Sequence, residues 1–489
     1  MLFAIWNFIQ TNLVEIVTAL HIVIIAAVVV IMVGKKLDPV KTISWSIVLI
    51  FLPFVGLILY LFLGRNYRKE KIYNRKGVAD TVSIDQLSKR QIALFHKGDK
   101  EYSDSVSRYK NIITLLLNNS KAIFTEHNKV DVYTNGSDTF AAMKDAIRNA
   151  CDSIHLESYI IEDDKIGNEI KDLLIEKARE GIEVRVIYDD VGSWSLPKKY
   201  VKELQEAGVE IYPFAKVRML LLNTKVNYRN HRKVLVVDGC IGFLGGINIA
   251  DRYVDGGKFG TWRDTHMRIE GEAVHSLQAI FLLDWYFVSK KQVGQRIRYY
   301  PVHKTENICP VQIAASGPDS DWSSVMQTYF SAIAQAQDHI YIITPYFTPN
   351  ESILTAIKIA SLSGVDVRLI IPARSDSKMV YFSTLSYLTE LLEAGVKVYL
   401  FQKGFNHSKV LMVDGNFAAV GSANMDMRSF EHNFEIISLI YDENITRQLE
   451  EQFRVDMGFS RLVHIRWWEK RSWVSKMKEA VARLCSPIL

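Results

Sequence analysis

A ten-residue pattern occurs twice in this chain, and this internal repeat constrains the fold more than any other feature. Residues 230–239 read NHRKVLVVDG, and residues 406–415 read NHSKVLMVDG. At the same offset, GGIN at 245–248 matches GSAN at 421–424. Two ungapped copies of H-x-K-x4-D-x6-G-[GS]-x-N do not arise by chance, so the sequence predicts two halves that fold alike.

Upstream of the repeated motif, both halves alternate between helical and strand-like patterns. The matching segments are 140–150 and 324–336 for a helix, 154–159 and 340–346 for a strand, and 181–187 and 364–370 for the next strand. Strands that alternate with helical patterns indicate βα units and a largely parallel sheet. The predicted fold class is therefore α/β.

We place domain boundaries where the repeat, the apolar runs and the charged stretches change over. The predicted divisions are an anchor at 1–65, a polar linker at 66–111, a first half at 112–295, a second half at 296–460 and a basic, aromatic segment at 461–489. Of the 489 residues, 48% are hydrophobic, which excludes a disordered chain and allows a sizeable core.

Two long uncharged runs, at 17–33 and 43–63, precede the repeat. Each is close to the length that crosses a bilayer. Two in succession predict a transmembrane hairpin, rather than a cleaved signal peptide or a buried core hairpin. Six Lys and Arg residues at 65–76 follow the second run, against three at 35–41. This asymmetry predicts that the residues after the hairpin lie on the cytoplasmic face of the membrane.

The charge and cysteine content exclude some partners and cofactors. Lys and Arg number 59 and Asp and Glu number 54, and the resulting net charge of +5 does not indicate a nucleic-acid partner. The four cysteines are far apart and show no CxxC or Cys/His spacing, which argues against a zinc site and a disulfide framework. We therefore expect no metal and no cofactor.

The repeated motif contains the residue types of a phosphate-binding site. Its apolar run followed by Asp-Gly predicts a strand, a tight turn and a returning strand. Because side chains alternate along an extended chain, His231 and Lys233 leave the same face. Lysine supplies a cation for a phosphoryl oxygen, and G-[GS]-x-N supplies close backbone approach and an amide donor. The predicted phosphate-binding residues of that segment are Gly246, Asn248, Ser422 and Asn424.

One histidine cannot comfortably serve both as the nucleophile and as the acid for the leaving group. If the halves pack about a pseudo-twofold axis, His231 and His407 face each other across one phosphorus atom. One imidazole then attacks through Nε2 while the other protonates the departing oxygen, so a phosphohistidine intermediate is expected. Lys233, Lys409 and the two asparagines neutralise the non-bridging oxygens, a task that other phosphoryl-transfer enzymes give to Mg²⁺.

A nucleophilic imidazole needs an acceptor for its other ring N–H. Asp264 and Glu435 follow their own histidines at similar distances along the chain and are the candidates, with Glu431 as a competitor. Asp238 and Asp414 lie at the predicted turns, where they either stabilise the hairpin or pair with lysine. Function and plain packing are equally open for five residues at strand ends, Glu157, Tyr159, Asp189, Asp190 and Tyr346.

The doubled H-x-K-x4-D pattern with G-[GS]-x-N resembles the phospholipase D superfamily and, within it, the bacterial cardiolipin synthases. The resemblance covers nearly the whole chain. It includes the run P-x2-G-x3-Y-x3-GRN that ends at residue 66, the NMDMRS run at 424–429 and the closing SPIL tail. It implies two phospholipase D-like α/β/α halves in a pseudo-twofold arrangement, preceded by a two-helix transmembrane hairpin.

The resemblance also implies an activity, the transfer of a phosphatidyl group from one phosphatidylglycerol to the terminal hydroxyl of another, which yields cardiolipin and glycerol. Six residues carry over as catalytic, namely His231, Lys233, Asp238, His407, Lys409 and Asp414. By family analogy His231 is the expected nucleophile and His407 the acid and then the base. The implied partners are phosphatidylglycerol and other lipids of a bacterial cell membrane, and the sequence leaves the oligomeric state open.

The same pocket also suits hydrolysis, either by a membrane-anchored phospholipase D or by a nuclease. Hydrolysis differs from synthesis only in the acceptor, which is water instead of a lipid hydroxyl. The membrane hairpin favours the synthase, because it holds lipid acceptor at high local concentration. A nuclease would be expected to show a basic, aromatic-lined groove, which a net charge of +5 does not favour.

The C-terminal segment combines aromatic, apolar and basic residues. Trp467, Trp468 and Trp473 precede Met477, Ala480, Val481 and Leu484 at helical spacing, with Lys476, Lys478 and Arg483 between them. This pattern is typical of a helix in a membrane interface, although a helix packed on the catalytic core fits it nearly as well.

Overall fold

The N-terminal part of the chain forms three helices in the computed structural model, Leu13–Gly34 (α1), Pro39–Phe51 (α2) and Val55–Leu59 (α3). The structure describes residues 11–34, 39–52, 55–60, 80–97, 101–216, 227–291, 293, 297–302 and 305–486. The chain divides into two units, residues 1–70 with 219–227, and residues 71–218 with 228–489.

The first predicted membrane span coincides with α1. Residues Leu13–Val30 have a mean hydropathy of 2.7 and none of them is buried, so by length and composition this helix can cross a membrane. The second predicted span, at 43–63, corresponds to α2 and α3, and its residues 53, 54 and 61–63 lie outside the described residues. The apolar part of α2, Thr42–Phe51, is shorter than a bilayer span.

The helices of this first unit pack against each other. Ile25 and Val28 of α1 contact a small apolar cluster that contains Leu49, Trp45 and Tyr60. The rings of Trp45 and Tyr60 meet edge to face, with their centroids 5.5 Å apart. The contacts join α1 to α2 and to the residue that follows α3.

The second unit contains the repeated halves. Its described helices are Asp80–Lys97 (α4), Asp104–Arg108 (α5), Lys110–Asn119 (α6), Gly136–Arg148 (α7), Lys165–Arg179 (α8), Lys198–Glu206 (α9), Arg252–Asp255 (α10), Ala273–Ser289 (α11), Ser324–Gln335 (α12), Glu351–Leu362 (α13), Lys378–Ser386 (α14), Leu388–Glu393 (α15), Met427–Glu431 (α16), Glu443–Gly458 (α17), Ile465–Glu469 (α18) and Trp473–Leu484 (α19). Its described strands are Phe124–Thr125 (β1), Asn128–Tyr133 (β2), Ser153–Ser158 (β3), Glu183–Asp189 (β4), Glu210–Phe214 (β5), Val234–Val237 (β6), Ile241–Gly245 (β7), Thr261–Arg263 (β8), His266–Gly271 (β9), Val311–Ser316 (β10), His339–Ile343 (β11), Phe347–Thr348 (β12), Asp366–Pro372 (β13), Lys397–Phe401 (β14), Gly404–Asn406 (β15), Val410–Val413 (β16), Phe417–Gly421 (β17), Met425–Asp426 (β18), Glu435–Ile440 (β19) and Ser460–Leu462 (β20).

Two large sheets of this unit have the same strand order. The first runs β2-β9-β7-β6-β3-β4-β5, and the second runs β10-β19-β17-β16-β11-β13-β14 with β1 and β20 added at its edges. Both sheets combine a parallel trio of strands, β3-β4-β5 or β11-β13-β14, with an antiparallel group. The repeat in the sequence is therefore a repeat in space, and the predicted α/β class with two halves that fold alike is confirmed.

The two sheets pack face to face, and their outer faces are covered by helices. Val234 and Val236 of β6 share one core with Val410 and Met412 of β16. The alternate residues of the same strands lie in two further cores, which they form with helices. Because side chains alternate along a strand, a strand buried on both faces must be apolar throughout, which explains the uninterrupted apolar runs of the motif.

Both repeated motifs form the predicted hairpin. Residues 238–240 join β6 to β7, and residues 414–416 join β16 to β17. The φ angles are 53° and 66° at Asp238 and Gly239, and 52° and 71° at Asp414 and Gly415. Two consecutive residues with positive φ form the type I′ turn that matches the twist of the flanking strands, and Asp-Gly is among its preferred sequences.

The predicted division at residue 112 requires a correction. Strand β1 pairs with β10 at the edge of the second sheet, so it does not belong to the first half. Ile112, Ile113 and Leu116 of α6 lie in the helix-covered core of that same second sheet, as does Phe95 of α4. The apolar stripe of α6 has helical spacing and is buried against α12 and the second sheet. The described part of the predicted linker is thus mostly helical and packs on the second half.

Candidate active site

Each histidine of the repeated motif is positioned by the backbone of the other half. Strand β15 ends one residue before His407 and pairs in parallel with β8, and the His407 N–H donates to the Arg263 carbonyl oxygen over 2.7 Å. In the same way, the His231 N–H donates to the Phe434 carbonyl oxygen over 2.9 Å, next to a bridge between Asn230 and Phe434. Each histidine therefore lies next to the residue that follows its backbone partner, Arg263 or Phe434, in the opposite half.

That next residue is a carboxylate in both cases. His231 Nδ1 lies 3.0 Å from both carboxylate oxygens of Glu435, and His407 Nδ1 lies 2.7 Å from Asp264 Oδ2. The spacing in the sequence predicts that each carboxylate holds the histidine of its own half. The structure exchanges the partners, because the segments before the histidines pair across the two halves. The competitor Glu431 lies on α16, whereas the fully buried Glu435 begins β19.

Burial and the opposing charges set the protonation of both pairs. Burial lowers the pKa of His231 to about 4, against the effect of the neighbouring Glu435. Burial and Lys409 lower the pKa of His407 to about 4. Burial acts to raise the pKa of Glu435, but His231 and Lys233 outweigh it and lower the value to about 2. At neutral pH both carboxylates are ionised and both imidazoles are neutral, so each Nδ1–H donates to its carboxylate and each Nε2 keeps its lone pair.

The two motif lysines are buried beside the histidines. Lys233 Nζ donates to the His231 carbonyl oxygen over 2.5 Å, and Lys409 Nζ makes the equivalent bond to His407 and lies 2.9 Å from its Nδ1. Burial lowers the pKa of Lys233 to about 7 and that of Lys409 to about 8. The charge of Lys409 also lowers the pKa of His231, and the charge of Lys233 lowers that of His407. The two motifs therefore form one electrostatic cluster.

Gly246 and Ser422, the second residues of the GGIN and GSAN segments, lie next to the carboxylates that hold the histidines. The Ser422 hydroxyl donates to Glu435 Oε2, and its oxygen accepts from the Ile436 N–H over 3.0 Å. At Gly246, the matching position of the first half, a Cβ atom would collide with the carboxylate of Asp264. Both positions were expected to bind substrate phosphate. In the structure the Ser422 hydroxyl hydrogen-bonds the carboxylate of Glu435, and the lack of a side chain at Gly246 leaves room for the carboxylate of Asp264.

The two motif asparagines have different surroundings. Asn248 Nδ2 donates to the Tyr253 hydroxyl over 2.6 Å, and its Oδ1 accepts from the Ile160 N–H over 3.2 Å. Asn424 is 5% exposed, and its Oδ1 has no hydrogen-bond partner among the residues that the structure describes. The amide of Asn248 is thus engaged by the protein through both of its polar atoms, whereas at Asn424 it is the acceptor Oδ1, and not a donor for phosphate, that is left without a partner in the described chain.

Asp238 and Asp414 lie at the ends of their strands that are remote from the histidines. The Asp238 carboxylate accepts hydrogen bonds of 2.7–2.9 Å from the N–H groups of residues 151–153, and Asp414 accepts bonds of 2.8–2.9 Å from residues 337–339. Five steps of nearly extended chain, at about 3.3 Å each, lead from Lys233 to Asp238, a distance of about 16 Å. Of the two roles left open by the sequence, the contacts match the structural one, in which these aspartates stabilise the hairpin turn against the start of β3 or β11.

Sequence reasoning missed Asn230 and Asn406, which directly precede the histidines. The Oδ1 atom of each accepts from the N–H two residues later, over 3.1 and 3.2 Å. Their Nδ2 atoms donate to the buried carboxylates of Glu157 and Asp456, and the Asn230 N–H donates to Asp189 over 2.9 Å. These bonds fix the backbone that aims each imidazole. The signal was present, because both asparagines belong to the repeated ten-residue pattern.

Two tyrosines at strand ends lie next to the histidines. The ring of Tyr159, just after β3, has its centroid 5.0 Å from that of His231, and the ring of Tyr346, just after β11, has its centroid 6.3 Å from that of His407. The two tyrosines occupy matching places in the repeat. Their positions favour a role in the site over plain packing.

Known proteins share the sequence features of this site over most of the chain. A family model described as cardiolipin synthase, phospholipase D-like domain, matches residues 143–285 and 329–457, and a model described as phospholipase D-nuclease N-terminal matches residues 22–65. Cardiolipin synthase 2 of Bacillus anthracis is 42% identical over 457 residues, which are 92% of this chain and 87% of that protein. Cardiolipin synthase of Listeria monocytogenes is 41% identical over 458 residues, 93% of this chain and 95% of that protein.

Among solved structures, phosphatidylserine synthase of Haemophilus influenzae shares the fold. It superposes with a TM-score of 0.60 at 18% identity and covers 79% of this chain and 100% of that protein. Each of the two matched family segments contains one histidine-lysine motif. The resemblance identified from the repeated motif is thus confirmed, and the chain belongs to the cardiolipin synthase family of the phospholipase D superfamily.

Proposed function

We propose that this phospholipase D-type phosphatidyltransferase uses phosphatidylglycerol both as phosphatidyl donor and as acceptor and releases cardiolipin and glycerol. One observation carries the proposal. Two neutral imidazoles are each held through Nδ1 by a carboxylate of the opposite half, and each lies beside a buried lysine. The names of the relatives, cardiolipin synthases from several bacteria, support this choice of lipid substrate.

In the first step, His231 Nε2 attacks the phosphorus atom of the donor lipid. The P–N bond forms, and the bond from phosphorus to the headgroup glycerol oxygen breaks. His407 gives its Nε2 proton to that oxygen, so glycerol leaves as a neutral alcohol. The anionic phosphodiester raises the pKa of His407 when it binds, because a negative neighbour favours the imidazolium. The bond to Glu435 stabilises the positive charge that develops on the His231 ring.

In the second step, the terminal hydroxyl of another phosphatidylglycerol replaces glycerol. His407, now neutral, accepts the hydroxyl proton at Nε2 while the oxygen attacks the phosphorus atom. The new P–O bond forms, the P–N bond breaks, and cardiolipin is released. His231 regains its lone pair and His407 regains its proton, so the protein is unchanged over one cycle.

The buried lysines supply the charge that the phosphoryl group requires. Lys233 and Lys409 have lowered pKa values when the site holds no anion, and an anionic phosphodiester raises them again. Two ammonium groups beside the non-bridging oxygens stabilise the transition state by preorganised electrostatics. The proposed reaction therefore needs no metal ion.

The proposed reaction is tested with the full chain in phosphatidylglycerol vesicles containing EDTA. We expect cardiolipin and glycerol in equal amounts, measured by mass spectrometry, and neither product from His231→Ala or His407→Ala. Phosphatidic acid as the sole lipid product would replace the synthase by a hydrolytic phospholipase D. Cleavage of single-stranded DNA by the same preparation would favour a nuclease, and loss of all activity in EDTA would contradict the metal-free pocket.

The protein is membrane-associated, and we propose that both apolar runs cross the membrane, with the catalytic unit on the cytoplasmic face. The apolar helix α1 and the basic residues at 65–76 support this orientation. A membrane-impermeant maleimide should label Gly34→Cys, at the end of α1, in intact spheroplasts. The native exposed Cys151 of the catalytic unit should react only after permeabilisation. The reverse labelling pattern would show that the catalytic unit lies on the opposite face of the membrane.

A further inference from the structure

The C-terminal helix α19 has two opposite faces. Its outward side chains Trp473, Val474, Met477, Val481 and Leu484 are 45–81% exposed. On a helix with 3.6 residues per turn they fall within a sector of about 100°. Glu479 and Ala482, on the opposite side, are 5% and 2% exposed. The helix therefore presents a continuous apolar stripe away from the protein.

The inward face of α19 is anchored on α14. The Ser486 hydroxyl hydrogen-bonds that of Ser383 over 2.7 Å, and Arg483 donates to the Ser386 carbonyl oxygen over 3.2 Å. On the same inward face, Glu479 pairs with Arg471 of the segment that precedes α19. Both alternatives left open by the sequence are thus partly realised, because the helix packs on the catalytic unit and still exposes its apolar side. These contacts fix the direction in which the stripe faces.

Basic residues flank the apolar stripe on both sides. Lys478 lies on one flank and Lys476 on the other, as their helical spacing requires, and Arg483, on the side of Lys476, pairs with Glu390. Over residues 461–486, seven Lys and Arg stand against two Glu, and one of these, Glu479, is buried. An apolar stripe with an exposed tryptophan and a cationic border is the pattern of a helix that lies in the interface of an anionic bilayer.

We propose that α19 is a second membrane contact of this protein and lies with its apolar stripe in the headgroup region of an anionic phospholipid bilayer. Charge decides between a bilayer and a second copy of the chain. Two copies joined through this face would bring their basic flanks together, and like charges oppose such an interface. Anionic headgroups instead neutralise those flanks.

A series of side-chain contacts connects α19 to the active site. Helix α14, on which α19 packs, begins two residues after Asp376, and the Asp376 carboxylate accepts from the Tyr346 hydroxyl over 2.7 Å. The Tyr346 ring is the one that lies beside His407. A bilayer at α19 would therefore contact a helix that packs on α14, and α14 begins next to the site where lipid phosphate is to react.

The test places an environment-sensitive fluorophore on the stripe. The full chain carries Met477→Cys, with Cys151, Cys240 and Cys485 replaced by serine, and is labelled and reconstituted into vesicles of phosphatidylcholine with phosphatidylserine. We expect a blue-shifted emission that brominated acyl chains quench, and weaker quenching without phosphatidylserine or at high salt. The same probe at Leu362→Cys, on α13 and 72% exposed, should show neither effect.

Two results would overturn the proposal. One is an emission at residue 477 with the same wavelength as that at residue 362, which would show that both probes are equally exposed to water. The other is a blue shift that resists brominated lipid but grows with protein density, which would indicate a second copy. As a charge test, Lys476→Gln with Lys478→Gln should lower the equilibrium constant for binding of α19 to the vesicle surface by about ten-fold or more. The matched pair Lys199→Gln with Lys202→Gln, on α9, should leave the binding constant unchanged, and equal loss in both pairs would refute the charge argument.

Discussion

The ring of His231 is held by Glu435, a residue 204 positions later in the chain, with Nδ1 3.0 Å from both carboxylate oxygens. His407 and Asp264 repeat this relationship with the halves exchanged, over 143 positions. Each half therefore supplies one imidazole and the acceptor that orients the imidazole of the other half. Neither half contains a complete nucleophile, so the two must fold together before the site exists.

Glu435→Gln should lower kcat by about 10²- to 10⁴-fold, because the amide cannot stabilise the imidazolium or enforce the tautomer with Nε2 free. Asp264→Asn should have a loss of the same order. Steady-state assays with phosphatidylglycerol measure both. Glu431→Gln is the matched control and should retain activity within about two-fold, because Glu435 and Asp264 hold the Nδ1 atoms of the two motif histidines. Full activity of Glu435→Gln would remove the orienting role.

The two histidines should differ with a donor whose leaving group needs no proton. With phosphatidyl-p-nitrophenol, His407→Ala should still release one nitrophenolate per protein molecule and accumulate an alkali-stable phosphohistidine, because its nucleophile is intact. His231→Ala should show no burst. Rapid-mixing absorbance and mass spectrometry of the digested protein provide the readouts. A burst in His231→Ala alone would make His407 the nucleophile.

The acid limb of kcat/KM should lie near pH 4 rather than near 6.5, because the nucleophile must be neutral and burial lowers the pKa of His231 to about 4. Glu435 acts to raise that pKa, so the residual activity of Glu435→Gln should have its acid limb at still lower pH.

The free energy of unfolding should depend on pH through the same two histidines. The contribution of each lowered histidine pKa is present above pH 6.5 and is lost as the pH falls towards 4. An acid limb at pH 6.5 in the wild-type protein would contradict the buried, neutral imidazole.

Lys233→Met should raise Tm while it abolishes turnover. The folded protein lowers the pKa of Lys233 to about 7, whereas the unfolded chain keeps it near 10.5. Between these values the unfolded state binds more protons, so the lysine opposes folding at neutral pH and opposes it less as the pH rises towards 10.5. Thermal unfolding of the full chain at pH 7 tests this. Lys199→Met, an exposed control on α9, should change neither Tm nor activity, and a lower Tm for Lys233→Met would show that the lysine stabilises the fold.

Gly246→Ala should lose more activity than Ser422→Ala, although the two positions match in the repeat. A Cβ atom at residue 246 must displace the Asp264 carboxylate from His407, whereas Ser422→Ala displaces nothing and removes the hydroxyl's hydrogen bonds to Glu435 and to the Ile436 N–H. Because Asp264 is fully buried and its carboxylate would lose its partner, Tm should also fall in Gly246→Ala, and by more than in Ser422→Ala. Comparison of kcat with Tm separates the two effects. Equal kcat for both variants would mean that Asp264 tolerates displacement.

Much of this fold and site could be predicted from the sequence because the relevant information is local. The apolar run and the Asp-Gly turn of each motif determine a hairpin, and the alternation of strand and helix patterns determines the α/β class. The duplication itself brings His231 and His407 into equivalent positions. It also marked Asn230 and Asn406, although their role became visible only with their buried acceptors Glu157 and Asp456.

The tertiary structure alone decided which carboxylate serves which histidine, because strand pairing between segments more than a hundred residues apart leaves no periodic trace in the sequence. The same holds for α6 and β1, whose apolar faces are satisfied by the second sheet although they precede the first. It also decided that Ser422 fastens Glu435, and that the apolar stripe of α19 faces outward. Periodicity determines which face of an element is apolar, and only the packing of all elements determines what that face meets.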